Sequence, residues 1–304
     1  MKKYIYIVFV LAIFGCGQKN TSKKGKLQVV TTTTMITDLV KNIGGDKIKV
    51  SGLMGAGVDP HLYKASEGDV SKLFNADIVI YNGLHLEGKL EEVFEKMRHQ
   101  NKKTIAVSDA IDKNTLIASE FFASNYDPHI WFDIQNWELI TTYIVRQLSE
   151  LDAANAASYK ENGAMYLEKL TSLNLEITNS LGQIPLEKRI LVTAHDAFNY
   201  FGKAFKFNVV GLQGLSTATE AGVKDVQRLA SYIIAKNVHA IFVESSVPKR
   251  TVEALQEAVR SKGHRIEIGG TLFSDALGDS DALEGTYIGM YKHNVKTIIR
   301  SLQD

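Results

Sequence analysis

Cysteine is almost missing from this 304-residue chain; Cys16 is the only one. A single thiol excludes an internal disulfide and any zinc site built from several thiolates. Proline is scarce, with four residues in all. An excess of one charge is missing too: 35 Lys and Arg stand against 34 Asp and Glu, for a net charge of +1. No basic stripe breaks that balance, so nucleic acid is not an expected partner. Beyond the N-terminal segment, no stretch approaches the ~18 uninterrupted apolar residues of a spanning helix. Signatures of catalysis are lacking as well. The chain has neither a His-Glu-x-x-His helix nor a Gly-x-Ser-x-Gly elbow. Gly55-Ala56-Gly57 lacks the Gly-Lys-Ser/Thr of a phosphate loop and reads as a turn before Asp59.

What is present begins with a processing segment, residues 1–15. Lys2 and Lys3 form a basic start, and Tyr4 to Phe14 is an apolar run too short to span a bilayer. Ile13-Phe14-Gly15-Cys16 resembles a bacterial lipobox, whose cysteine is lipidated and becomes the mature N-terminus; Phe14 departs from the small or branched residue usual there. The alternative is an ordinary signal peptide with an incidental cysteine. Residues 16–26 are polar, lysine-rich and aperiodic, as expected of a flexible tether. Removing Lys2 and Lys3 leaves 33 basic against 34 acidic side chains, net −1. The expected product is an extracytoplasmic body held to a membrane through lipid on Cys16.

From residue 27 on, strand and helix patterns alternate. Leu27–Thr32, Ile48–Leu53, Ala76–Tyr81 and Thr104–Val107 read as strands, with helices at Met35–Ile43, Glu67–Asn75 and Glu87–Met97. That alternation argues for an α/β lobe over 27–150 with a mainly parallel sheet and flanking helices. Glu138–Leu148 reads as a further helix of this lobe. From Ala153 to Leu181 a helical pattern continues without proline, with Met165, Leu167, Leu170, Leu173 and Ile177 near helical spacing. Residues 151–184 are therefore expected to form one long rigid helix joining two lobes. The alternative is two shorter helices that break near Gly163. A second α/β lobe is expected over 185–304, with strands at Arg189–Thr193, Phe207–Leu212, Ala240–Glu244 and Arg265–Ile268. Its helices are expected at Ala197–Phe205, Lys224–Lys236, Lys249–Lys262 and His293–Leu302.

Two of the four prolines lie in matching tripeptides, Asp59-Pro60-His61 and Asp127-Pro128-His129. Each follows an apolar stretch. Proline fixes φ and biases its predecessor toward extended backbone, so each histidine should project from a stiff loop at a strand end. The second half adds His195 in Thr-Ala-His-Asp-Ala-Phe and Asp275 in Leu-Phe-Ser-Asp-Ala-Leu-Gly. Three imidazoles and one carboxylate, two ligands from each lobe, suit a divalent cation in the cleft between lobes. Zn²⁺ fits this nitrogen-rich set best, and Mn²⁺ or Fe²⁺ are the alternatives. Four ligands would fill a tetrahedral shell and leave no position for water activation. Asp59, Asp127 and Asp196 adjoin the histidines as acceptors that could fix imidazole tautomers, or as plain turn caps. Glu244, at a strand end, is a further acceptor candidate. His85 reads as a helix-start contact, and His99, His239, His264 and His293 as solvent-facing.

The stretches GLMGAGVDPHLY, ADIVIYNGLHLE, DPHIWFD, TAHDAF, IFVESSV and LFSDALG run in this order through nearly the whole chain after residue 28. With them the chain resembles the metal-binding solute-binding lipoproteins of ABC importers, the TroA/ZnuA type. The resemblance implies two α/β lobes joined by one long helix, with His61, His129, His195 and Asp275 holding the metal. It implies an ABC permease with its ATPase as partner, no catalysis, a lipid-anchored place in the cell envelope, and a monomer. Some manganese members differ in carrying Glu where this chain has His195. Zinc-specific members carry a long His- and acid-rich loop before the second Asp-Pro-His, where Ile111 to Tyr126 here is short and free of histidine. A metal-dependent hydrolase and a surface adhesin are the alternative functions.

Overall fold

The computed structural model describes residues 25–120 and 122–303. The segment 1–15, the lipid acceptor Cys16 and all but the last two residues of the 16–26 tether lie outside the described residues.

The first lobe is built from β1 (Leu27–Thr31), α1 (Thr34–Gly44), β2 (Ile48–Gly52), α2 (Glu67–Asn75), β3 (Ile78–Tyr81), α3 (Glu91–His99) and β4 (Thr104–Ala106). All four strands are parallel, in the order β2-β1-β3-β4. Ile78, Val79 and Ile80 are completely buried, which is why β3 reads as a continuous apolar run and not as alternation. Local signals set the helix starts. The Thr33 side chain accepts from the Ile36 N–H at α1, and Ser66 with Asp69 forms a reciprocal capping box at α2.

Two long helices follow, α4 (Ile134–Leu151) and α5 (Ala156–Leu181). The 26 residues of α5 extend about 39 Å. Gly163 does not interrupt it. A Cβ there would lie 2.4 Å from Val145 Cγ2, so this glycine lets α4 and α5 approach closely. Leu170, Leu173, Ile177 and Leu181 form the buried stripe, whereas Met165 is half exposed despite its apolar character.

The second lobe contains β5 (Ile190–His195), α6 (Asn199–Phe205), β6 (Asn208–Gln213), α7 (Val223–Ala235), β7 (Ala240–Glu244), α8 (Arg250–Arg260), β8 (Glu267–Leu272) and α9 (Tyr287–Gln303). Its sheet is split into two parallel pairs, β5–β6 and β7–β8, with β5 running beside β7. The last strand begins two residues later than its apolar pattern suggests and runs on to Leu272. Gly269 and Gly270 mask it, since glycine weakens a strand signal. A Cβ on Gly269 would lie 2.5 Å from Ser301 Oγ, so α9 packs directly on this backbone. Helix α9 likewise starts six residues before the expected His293, because Tyr287, Met290 and Tyr291 extend its buried face.

An aromatic layer joins the lobes. Trp131 and Phe132 precede α4, Phe198 and Phe201 lie at α6, and Tyr291 is on α9. The Phe132 and Phe198 rings are 4.3 Å apart and those of Phe201 and Tyr291 6.3 Å. Hydrogen bonds pin the layer: Tyr287 Oη donates to the Trp131 carbonyl and Tyr291 Oη to that of Phe132, both at 2.7 Å. Trp131 Nε1 donates to the Ser274 carbonyl at 3.1 Å. These contacts hold the loop carrying His129 against the loop carrying Asp275.

Candidate metal centre

His61 lies in the loop between β2 and α2. Its backbone N–H donates to Asp59 Oδ1 at 2.8 Å, and Asp59 Oδ2 accepts from Thr217 Oγ1 at 2.5 Å, a bond between lobes. Asp59 therefore caps a turn and does not touch the imidazole. Asp127 does both. Its Oδ1 accepts from the His129 N–H at 2.9 Å and lies 2.7 Å from His129 Nδ1. That contact turns His129 Nε2 inward. The two tripeptides also differ in setting. Among the described residues, no strand leads into Asp127-Pro128-His129: β4 ends at Ala106, and an isolated antiparallel bridge joins Ala118 to Tyr126. Stiffness comes instead from side chains. Tyr200 Oη donates to the Asp127 carbonyl at 3.2 Å and Asn82 Nδ2 to that of Pro128 at 2.9 Å.

His195 is the last residue of β5, not a residue beyond the strand. Glu244, the last residue of β7, faces it with both oxygens. Oε1 accepts from the His195 N–H at 2.9 Å, and Oε2 lies 2.5 Å from Nδ1. Asp196 points away, its Oδ1 accepting from the Gly211 N–H at 2.6 Å. Of the four neighbouring acids, Asp127 and Glu244 thus orient imidazoles, while Asp59 and Asp196 hold backbone. Asp275 follows β8 by three residues.

The structure brings His61, His129, His195 and Asp275 together, with one potential ligand atom from each all within 4.8 Å of one another. His61 Nε2 and His129 Nε2 are 3.3 Å apart. Asp275 Oδ1 is 3.5 Å from His129 Nε2, and Oδ2 is 3.2 Å from His195 Nε2 and 4.0 Å from His61 Nε2. Atoms bonded tetrahedrally to one ion at roughly 2.0–2.1 Å stand ~3.3 Å apart. The cluster is already spaced for a single cation.

Its electrostatics point the same way. His61 is 5% exposed and the other three residues 1% or less. Burial holds the His61 imidazole down at about 3, against the pull of Asp275, so it stays neutral and ready to ligate. Burial acts downward on His195 as well, but Glu244 and Asp275 outweigh it and hold this imidazole well above its usual range. Burial would raise Asp275, yet His195 and the other two imidazoles keep its carboxyl below the usual range. Among the described residues, neither Asp275 oxygen has a hydrogen bond of proper geometry. A buried carboxylate whose ion-pair partners are three imidazole nitrogens is a group fitted to a cation.

Sequence reasoning missed a supporting chain under His129. Glu87 is fully buried and accepts from Thr32 Oγ1 and the Asn82 N–H, both at 2.7 Å, and from the Gly83 N–H at 3.3 Å. Burial pushes its carboxyl up. Glu87 thereby sets Asn82, which holds Pro128. The stretch ADIVIYNGLHLE contains both residues, but nothing local shows that Asn82 reaches a loop 46 positions away. His85 contacts Glu91 Oε1 at 2.5 Å, at the start of α3. His264 and His293 are half-buried, not solvent-facing; each has Nε2 near a carbonyl, of Val238 at 2.7 Å and Thr271 at 3.1 Å.

A closed, buried His₃Asp cluster between two α/β lobes defines a cation-binding protein of the solute-binding class. The chain belongs to the family described as zinc-uptake complex component A, periplasmic, whose model matches residues 29–301. It is the substrate-binding component of a metal ABC importer and not an enzyme. The manganese-binding lipoprotein MntA of Bacillus subtilis is 46% identical over 295 residues, covering 96% of this chain and 95% of the relative. The zinc-binding protein TroA of Treponema pallidum is 46% identical over 286 residues, covering 94% and 92%. The solved structure of the Treponema pallidum periplasmic zinc-binding protein TroA matches with a TM-score of 0.89 at 46% identity, covering 91% of this chain and 99% of that one. The names of these relatives describe metal-binding proteins. No helix among the described residues is long and apolar enough to cross a membrane.

Proposed function

We propose that this protein captures one divalent metal ion, Zn²⁺, through His61 Nε2, His129 Nε2, His195 Nε2 and Asp275, and delivers it to an ABC permease with its ATPase. The observation that carries the reading is the spacing of the four buried ligand atoms. The donor set favours zinc, because three imidazoles suit it better than Mn²⁺ or Fe²⁺, which take more oxygen. Two relatives of equal identity are named for different metals, manganese and zinc, so the choice rests on chemistry. Residues 27–150 and 185–304 act as lobes around 151–184. The aromatic layer and the bonds across it allow only small rotations and loop shifts, so the permease must draw the loops apart for release. We further propose that the chain works as a monomer, tethered by 16–26 to lipid on Cys16 at the outer face of a membrane.

Protein purified without chelator or added metal should contain close to one equivalent of zinc by elemental analysis. A ligand that binds only the folded state adds about 2.7 kcal/mol at a hundredfold excess over Kd. His129→Ala should lose most of the corresponding thermal shift, and an unchanged shift would remove His129 from the ligand set.

A further inference from the structure

Among the described residues, buried side-chain polar atoms without a hydrogen-bonding partner fall on Ser149 and on five residues at the ends of the second lobe's strands: His195, Gln213, Glu244, Ser245 and Asp275. The atoms of His195 and Asp275 belong to the cation site, and that of Glu244 lies against His195 Nδ1. The Ser245 hydroxyl can rotate, and its residue is only partly buried. Gln213 is left without a role. It is 6% exposed, and its Oε1 is a buried acceptor with nothing to accept. Such an atom is costly unless something occupies it.

Its position says what that something is. Gln213 ends β6 and is the register partner of His195 at the end of β5. Partners in a parallel pair present their side chains on the same face, one strand spacing apart, roughly 4.8 Å. The Gln213 side chain therefore leaves β6 on the same face from which the His195 side chain leaves β5, on the side away from β7 and Glu244. The cleft next to it is also lined by Phe122, whose ring stands edge-on to His61 at 6.5 Å. An uncharged carbonyl oxygen at the flank of a nitrogen-rich cation site is a hard donor in reserve.

We propose that Gln213 gives its amide oxygen to the shell of the bound cation, directly or through one water, and so sets the balance between nitrogen-preferring and oxygen-preferring dications. The inference rests on the metal-carrier reading above. Zn²⁺ is satisfied by four ligands. Mn²⁺ seeks a larger shell richer in oxygen. Three imidazoles, both Asp275 oxygens and the Gln213 oxygen make six donors, so the same pocket takes either ion, and Gln213 counts mainly for the second.

The test is a competition titration of Zn²⁺ and Mn²⁺ into wild type, Gln213→Leu and Gln213→Glu, with the melting point of each metal-free protein as control. Groups next to metal ligands typically carry ~10–100-fold in affinity. Gln213→Leu should weaken Mn²⁺ about tenfold or more and Zn²⁺ by less than about threefold. Gln213→Glu should shift the ratio the other way. Equal changes for both metals, or none, would assign Gln213 a structural role and overturn the proposal, while wild type still binds one equivalent. If wild type fails to bind one equivalent of either ion, the carrier reading falls and this inference with it.

Discussion

Replacing Glu244 with glutamine exchanges one oxygen for an amide nitrogen behind His195. In the native protein the two Glu244 oxygens perform two tasks: Oε1 accepts the His195 N–H at 2.9 Å and Oε2 faces Nδ1 at 2.5 Å. A glutamine oxygen can perform only one. If it keeps the backbone bond, its NH₂ faces Nδ1, and the ring proton moves to Nε2. That is the atom that must ligate, 3.2 Å from Asp275 Oδ2. Lost orientation of this kind costs ~10–100-fold in metal affinity, about 1.4–2.7 kcal/mol. A second effect follows from charge. Glu244 and Asp275 hold His195 above its usual range, so protons compete with metal at this imidazole more strongly than at an ordinary one. His61, held near 3, has none to give. Calorimetric titration in two buffers of different ionisation enthalpy should detect proton release from His195 on metal binding in wild type. Glu244→Gln should release distinctly less and bind more weakly. Unchanged affinity with an unchanged proton count would refute the reasoning.

Acidification should destabilise the metal-free protein through His61. Its folded value of about 3 lies below the unfolded 6.5, so the unfolded state binds more protons between them and stability falls as pH drops from 6.5 toward 3. The opposite sign holds for His195, whose contribution is full below 6.5 and fades only as pH rises through its raised folded value. Thermal melts of metal-free wild type and His61→Leu from pH 7 to 4.5 should show a flatter profile for the variant, and parallel profiles would contradict this. His195→Glu should weaken Zn²⁺ more than Mn²⁺ and narrow their affinity gap without reversing it, since carboxylate is the harder ligand. A carboxylate there would also face Glu244 and Asp275, so the metal-free variant should melt lower; a constant Zn²⁺/Mn²⁺ ratio in competition titrations would argue against His195 as a ligand. Gly163→Ala should cost about 1–3 kcal/mol in denaturant unfolding through its clash with Val145, with partial rescue by Val145→Ala. No loss would mean that α4 and α5 separate without penalty.

The histidines that gather at the centre carry local marks in the sequence, whereas Asp275 has none beyond the stretch that carries the family resemblance. Two Asp-Pro-His tripeptides are improbable by chance in a chain with four prolines, and His195 and Glu244 close apolar runs. The α/β alternation was equally plain. What each acid does was not. Asp59 and Asp127 stand in identical tripeptides, yet only Asp127 reaches an imidazole, while Asp59 is drawn to Thr217, 158 positions away. Such contacts depend on how the lobes meet. The same holds for Glu87 and Asn82, whose support of Pro128 is set by packing. Strand β8 was blurred by Gly269 and Gly270, which serve the approach of α9 and not the strand itself.

X-ray absorption at the zinc edge, on protein loaded with one equivalent, tests the central claim most directly. The account predicts three imidazole nitrogens and one carboxylate ligand at roughly 2.0–2.2 Å, with the imidazole count falling to two in His129→Ala. A shell of five or six oxygens with fewer than two imidazoles, or an unchanged spectrum in that variant, would contradict it.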